Sequence, residues 1–385
     1  SSITREVNKL FRMPVMILFF YDEKLTLSVI NRRLHKRDSS KDVLEKVTLI
    51  KDIRTEKPHR AHIEILYDLS FPILTKTHKV TNFVELHRAW EKILDTKELN
   101  KKFFKELSNW YFWAINEVEF PNDAEKDKDK RNPISVIRLI TRLMFVWFVK
   151  EKNLVPDKLF DKNCLDTILN YNDVTGSTYY KAILQNLFFA TLNTEMNRDK
   201  PGNRKFINGQ HLVHNLYRYG NLFKDKTEAL KLFEDIPFLN GGLFECLDRK
   251  DDDDNVIRID CFSENPKAQK RLKVPDYLFF GDEQNVDLSE VYGNKKKNKE
   301  KARPIIDILN SYKFTIAENT PIEEEVALDP ELLGKVFENL LASYNPETKT
   351  TARKQTGSFY TPREIVNYMV DESLIAYFLN KLTDD

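Results

Sequence analysis

Cysteine is scarce in this chain. The 385 residues contain three, Cys164, Cys246 and Cys261, an odd number, widely spaced and without a Cys-x-x-Cys pair. That usage argues against a secreted disulfide framework and against a structural zinc site, and the compartment reads as reducing and cytoplasmic. Glycine is scarce as well, at 10 residues, and neither sign of charge prevails: 61 Lys and Arg stand against 60 Asp and Glu, net +1. Whole-chain charge therefore advertises no polyanion partner, and any basic surface must be local. The longest strictly apolar run, Leu143 to Val149, is far short of the roughly twenty residues a membrane helix needs, and no cleavable signal opens the chain. No membrane partner is expected. The first residue is Ser, which suggests a piece of a longer protein.

What is abundant is apolar and aromatic mass, 41% hydrophobic and 12% aromatic residues. That excludes overall disorder, and the length allows at least two structural units. Val15–Tyr21 and Leu25–Ile30 are β-branched and aromatic runs split by the turn-prone Asp22-Glu23-Lys24, the pattern of a hairpin. Lys46–Ile53 reads as a third strand, and Pro58 introduces a short helix through Ile63, Ile65 and Leu66. From about residue 82 the period becomes helical. Phe83, Leu86, Trp90 and Ile93 share a face, and the crowded aromatics from Phe103 to Trp113 suit a helix buried on several sides. Asn132-Pro133 reads as the cap and first turn of a long apolar helix. On that helix Arg138 and Arg142 lie four apart and demand solvent, an acidic partner or DNA. Asp329-Pro330 opens a helix with the stripe Leu332, Leu333, Val336, Phe337, Leu340 and Leu341, with Leu328 placed to staple against Leu333. Thr361-Pro362-Arg363-Glu364 makes a capping box for another, which Ile365, Val366, Met369, Val370, Leu374, Tyr377 and Phe378 carry inward.

Fewer residues offer chemistry. His59/His62 and His211/His214 have the spacing of helical metal ligands but no third ligand nearby in sequence, so satisfied or exposed histidines are the better reading. Glu347-Thr348-Lys349 is an isolated Glu-x-Lys with no strand around it, so no metal-dependent nuclease site is assigned. Basic segments at Arg32, Arg33, Lys36 and Arg37, at Lys295–Lys299, and at Arg353 and Lys354 could meet phosphate or could be solvated loops.

Two segments carry a resemblance. Leu328–Leu341, Leu-Asp-Pro-Glu-Leu-Leu-Gly-Lys-Val-Phe-Glu-Asn-Leu-Leu, and Arg353–Val366, with Thr-Gly-Ser-Phe-Tyr-Thr-Pro-Arg-Glu at its centre, resemble the lead-in to the methyltransferase module of adenine-specific restriction–modification enzymes, most of all the long single-chain type IIG group. Arg142–Lys152, Phe238–Glu245 and Lys41–Ile53 are similar too. The resemblance implies that Phe359, Tyr360, Thr361 and Pro362 contact S-adenosylmethionine, and it favours Arg353, Lys354 and the basic stretch Arg32, Arg33, Lys36 and Arg37 as contacts to double-stranded DNA. The family's Gly-rich cofactor loop and its Asn/Asp-Pro-Pro-aromatic catalytic loop do not occur in these residues, so the chain itself is assigned no catalytic residue. A divalent metal is implied only if a nuclease lies upstream.

The expected architecture is mainly α. A small α+β unit (1–78) precedes a large helical connector (79–342), and residues 343–385 begin an α/β methyltransferase domain. The implied function is a DNA-facing scaffold of a bifunctional restriction–modification enzyme. A stand-alone helical DNA- or partner-binding module, or a phage-defence methyltransferase without a nuclease, are the alternatives.

Overall fold

In the computed structural model, which describes residues 2–11, 13–35, 38–171, 176–195, 204–207, 212–239, 242–316, 323–332, 334, 336 and 363–383, helix α1 (Ser2–Leu10) precedes the expected hairpin. Strands β1 (Val15–Tyr21) and β2 (Lys24–His35) pair antiparallel, with Tyr21 opposite Lys24. The turn residues Asp22 and Glu23 both take positive φ, 44° and 60°. That twist matches the right-handed twist of the flanking strands, so a two-residue loop closes without glycine. Strand β3 (Asp38–Arg54) continues antiparallel to β2. A distant strand, β8 (Glu323–Glu325), joins β3 in parallel and completes a mixed sheet of order β1-β2-β3-β8. One sheet face, with Leu27, Val29, Ile50 and Ile53, packs on Ile65, Trp90 and Leu94 from the helices that follow.

Those helices are α2 (Arg60–Asp68), α3 (Phe71–His78), α4 (Phe83–Ile93), α5 (Thr96–Glu117), α6 (Lys128–Lys150) and α7 (Lys162–Ile168). Asn82 caps α4 by accepting from the Glu85 amide, and Asp95 caps α5 from Lys97. The aromatics of α5 are core: Phe103, Trp110 and Tyr111 are wholly buried, and the Trp110 indole donates to the Leu278 carbonyl. Helix α6 is long and apolar enough to cross a bilayer by composition, yet most of it is buried within this fold, as a core helix is. Its start differs from the sequence reading. Asp127 is the cap, and Pro133 lies a full turn inside the helix. Asn132 is buried instead, donating to the Val118 carbonyl at 2.6 Å and so tying the end of α5 to α6.

The larger correction concerns class. The described residues are about half helix and 15% strand, an α+β arrangement rather than a mainly α one. The described residues between 204 and 304, expected to continue the helical body, form short helices, among them α8 (Lys226–Lys231) and α9 (Pro266–Gln269), and two hairpins. These are β4 (Arg249–Lys250) with β5 (Val256–Ile257), and β6 (Gln284–Val286) with β7 (Glu300–Ala302). The aromatics there, Tyr217, Tyr219, Phe233, Phe244 and Phe262, are buried from turns and loops, so they need no 3.6-residue period to reach the core. A 13-residue π-helix, Tyr180–Leu192, runs through that core, and α10 (Ile305–Ser311) closes it.

Asp329 accepts from the Leu332 amide, as a cap should, whereas Leu333 lies outside the described residues. Helix α11 (Arg363–Thr383) exists where expected but does not turn inward. Ile365, Val366, Met369, Val370, Leu374, Tyr377 and Phe378 are all at least 42% exposed.

Candidate nucleic-acid interface

Strand β1 stops pairing with β2 at Ile30, opposite Val15, while β2 and β3 run on together to His35 and Asp38. Residues 31–35 and 38–46 therefore form a two-stranded arm that extends past the sheet. Arg32 and Arg33 sit on it, opposite Leu44 and Val43, just after a register shift at Asn31. Lys36 and Arg37 lie outside the described residues. The base of the arm is fastened on both sides. Asn31 is buried and its amide oxygen lies 3.1 Å from Nε2 of His87 on α4, and Lys46 pairs with Glu324 on β8. A ribbon of this kind is one of the two regular elements that fit the major groove of duplex DNA.

A second feature lies in the helical body. Arg142 is buried at 3% exposure on α6 and uses its whole guanidinium: Nε donates to the Leu243 carbonyl at 2.9 Å, Nη2 to the Glu245 carbonyl at 2.8 Å and Nη1 to Asp260 at 2.9 Å. Of the partners open in the sequence, the structure provides an acidic one. Two of the segments that carry the family resemblance, around Arg142 and around Leu243–Glu245, are thus joined by one side chain. The chain next to Asp260 wraps a second carboxylate. The amides of Ile259, Asp260, Cys261 and Phe262 all donate to Asp248, at 2.7 to 3.0 Å, with Cys261 at φ 57° to allow the turn. Neither aspartate stands out in the sequence, because both lie in loops where no period marks an inward position.

His214 gains neighbours that its sequence spacing does not show. Its ring nitrogen, the Cys246 thiol and the Asp248 carboxylate lie within 4.8 Å of one another, and no other such group occurs among the described residues. The chemistry is poor for a cation. Asp248 already accepts four amides, burial raises the Cys246 thiol far above its ordinary pKa, and the Arg142 guanidinium stands close by on Asp260. His211 lies outside the described residues. His59 and His62 contact each other edge to face, ring centroids 5.3 Å apart, and no carboxylate or thiol among the described residues joins them in a ligand group.

No family model matches the chain, and no solved structure matches it. A curated protein of Methanocaldococcus jannaschii, described itself by inference as a type II restriction enzyme and methyltransferase, is 28% identical over 309 residues, 78% of this chain. This chain is a relative of restriction–modification enzymes. It spans about a fifth of the length of the curated relative it matches. The residues that the restriction–modification resemblance assigns to the cofactor, Phe359, Tyr360, Thr361 and Pro362, and its basic pair Arg353 and Lys354, lie outside the described residues. So does Glu347-Thr348-Lys349.

Proposed function

We propose that this chain is the DNA-facing scaffold of a restriction–modification enzyme and leads into an adenine-specific methyltransferase. The observation that carries the reading is the anchored β2–β3 arm bearing Arg32 and Arg33, in a relative of a protein described as both restriction enzyme and methyltransferase. The arm meets the phosphate backbone of double-stranded DNA, Lys36 and Arg37, which follow β2 in sequence, add cations, and Arg353 and Lys354 add a further contact before the cofactor turn. In the intact enzyme, which works in the cytoplasm against phage DNA, S-adenosylmethionine donates a methyl group to the exocyclic amine of a flipped adenine. Phe359, Tyr360, Thr361 and Pro362 hold its methionine portion, and the catalytic loop lies in sequence beyond these residues. A divalent metal enters only through a separate nuclease.

The test is binding of this chain to a labelled duplex by fluorescence anisotropy between 50 and 200 mM salt. Binding should weaken steeply with salt, and Arg32→Ala/Arg33→Ala should reduce the logarithmic salt slope by about 2, because each neutralised phosphate contributes about 0.9. Absence of duplex binding at low salt, or an arm variant identical to wild type, would refute the reading.

A further inference from the structure

The lysine-rich segment Lys295–Lys299 is not used by the arm. It belongs to the long connection of the β6–β7 hairpin, Lys295, Lys296 and Lys297 forming one helical turn with Lys295 and Lys296 exposed. At the foot of that hairpin is an open cleft of about 370 Å³ between the hairpin and α5. Six cations line it: Arg60 from α2, Lys102 and Lys105 from α5, and Lys299, Lys301 and Arg303 from the hairpin and its exit. Three carboxylates, Glu106, Glu283 and Glu300, share the lining.

In a chain of net charge +1, the six cations still exceed by two the three lining carboxylates and Glu64, which pairs with both Arg60 and Lys102. The carboxylates hold their cations in place without neutralising the site. Glu106 takes Arg303 at 2.9 Å, Glu283 takes Lys301 at 2.6 Å, and Glu300 lies 3.7 Å from Lys105 while bonding Lys297 at 2.8 Å. Lys299 has no ion pair among the described residues. Arg303 is fixed further by donating to Ser311 Oγ and to the Asp307 carbonyl, and Asn109 ties α5 to the hairpin through the Lys301 carbonyl. The cations also oppose one another. Burial lowers the Lys102 pKa first, and Arg60 and Arg303 lower it further against the pull of Glu106.

We infer that this cleft binds the phosphodiester backbone of duplex DNA as a second contact, separate from the β2–β3 arm. From Lys102 to Asn109 is about 10 Å along α5. Over that length one strand of a duplex presents about three phosphates, enough to meet the cations that the cleft leaves without a full counter-charge. The inference rests on the DNA-facing reading above. Its contact carries no sequence information, so its loss should weaken all duplexes alike.

The experiment uses the full chain and the same anisotropy titration, with Lys105→Gln/Lys299→Gln to remove two exposed cations and Glu283→Gln to release Lys301 from its carboxylate. The first should lower the salt slope by about 2 on every duplex sequence, and the second should raise it by about 1. Both variants should unfold thermally as wild type does. If wild type binds and the arm variant loses slope while both cleft variants match wild type, the cleft is not a contact and the arm reading stands. If wild type binds no duplex, both fall.

Discussion

Replacing Arg142 by Met should cost this protein about 4 kcal/mol of unfolding free energy. The guanidinium is buried and its three bonds run to a carboxylate and two carbonyls. Breaking a buried ion pair from one side typically costs about 3 to 5 kcal/mol, since the partner is left charged and unsolvated. Asp260 retains one donor, the Leu247 amide at 2.9 Å, which keeps the figure from the top of that range. Burial raises the Asp260 pKa, but attraction to Arg142 and Arg138 overcomes it, and the carboxyl is held below its ordinary value. A depressed carboxyl contributes stability that is present above its unfolded pKa and lost as pH falls through the folded one. Without Arg142, burial works against only the Leu247 amide and the weaker attraction of Arg138, so the variant's deficit should grow as pH rises from about 4 to 7. The measurement is urea unfolding of both proteins at those two pH values. A double variant, Arg142→Met/Asp260→Leu, should recover most of the loss, because a buried pair replaced by apolar side chains is often neutral. A deficit under about 1 kcal/mol at pH 7, or one equal at both pH values, would refute the reasoning.

Two other buried groups should tilt stability in opposite directions over the same acid range. His62 is 1% exposed, neither ring nitrogen has a hydrogen-bond partner among the described residues, and burial followed by its neighbour His59 lowers its pKa from 6.5 to about 3. Wild type should therefore lose about 1.4 kcal/mol per pH unit from this group as pH falls from 6.5 toward 3, and urea unfolding of His62→Leu should lack that slope; an unchanged slope would rule it out. Asp276 caps the turn entering the π-helix, accepting from the Tyr179 amide at 2.8 Å and the Thr178 amide at 3.2 Å, and burial raises its pKa from 3.8 to about 7 against those bonds. Its contribution is present below 3.8 and lost as pH rises to 7, so Asp276→Asn should gain on wild type across that interval in urea titrations, whereas Asp276→Ala should lose about 1 to 2 kcal/mol of capping. Parallel curves for wild type and Asp276→Asn would show that the carboxyl titrates normally.

Legibility in the sequence followed the range of the forces involved. The hairpin was readable because alternation and a polar dipeptide are local, and α4 and α5 because their apolar residues recur on one face. The beginning of α6 was misread for a local reason as well: Asn132-Pro133 satisfies the rules for a cap, but its amide is worth more in bonding the Val118 carbonyl across the α5–α6 connection, and Asp127 is free to take the cap. The parallel partner of β3 lies some 270 residues away in sequence, and nothing in Glu323–Glu325, three consecutive acids, signals a strand. The same limit governs the interface. Charge runs at Arg32–Arg37 and Lys295–Lys299 were visible, but Arg60 and the lysines of α5 lie far from them in sequence and become one patch only when α2, α5 and the hairpin exit converge.

Arg142 shows where the limit lies. A guanidinium on a helix otherwise apolar through Val149 cannot be left in the core unpaired, so the residue alone announces that a partner exists. The identity of the partner is a different kind of information. Asp260 comes 118 residues later, in a loop with other aspartates nearby in sequence, and four of these, Asp251 to Asp254, are exposed at a hairpin tip. Asp260 is chosen because Asp248 gathers the amides of residues 259–262 and turns that stretch toward α6, a geometry that depends on backbone donors, which every residue here possesses and no side-chain pattern marks. A substitution at Asp248 should therefore disturb Arg142 without touching it. Asp248→Ala removes the acceptor of four buried amides, so urea unfolding should show a loss although Arg142 and Asp260 are both unchanged.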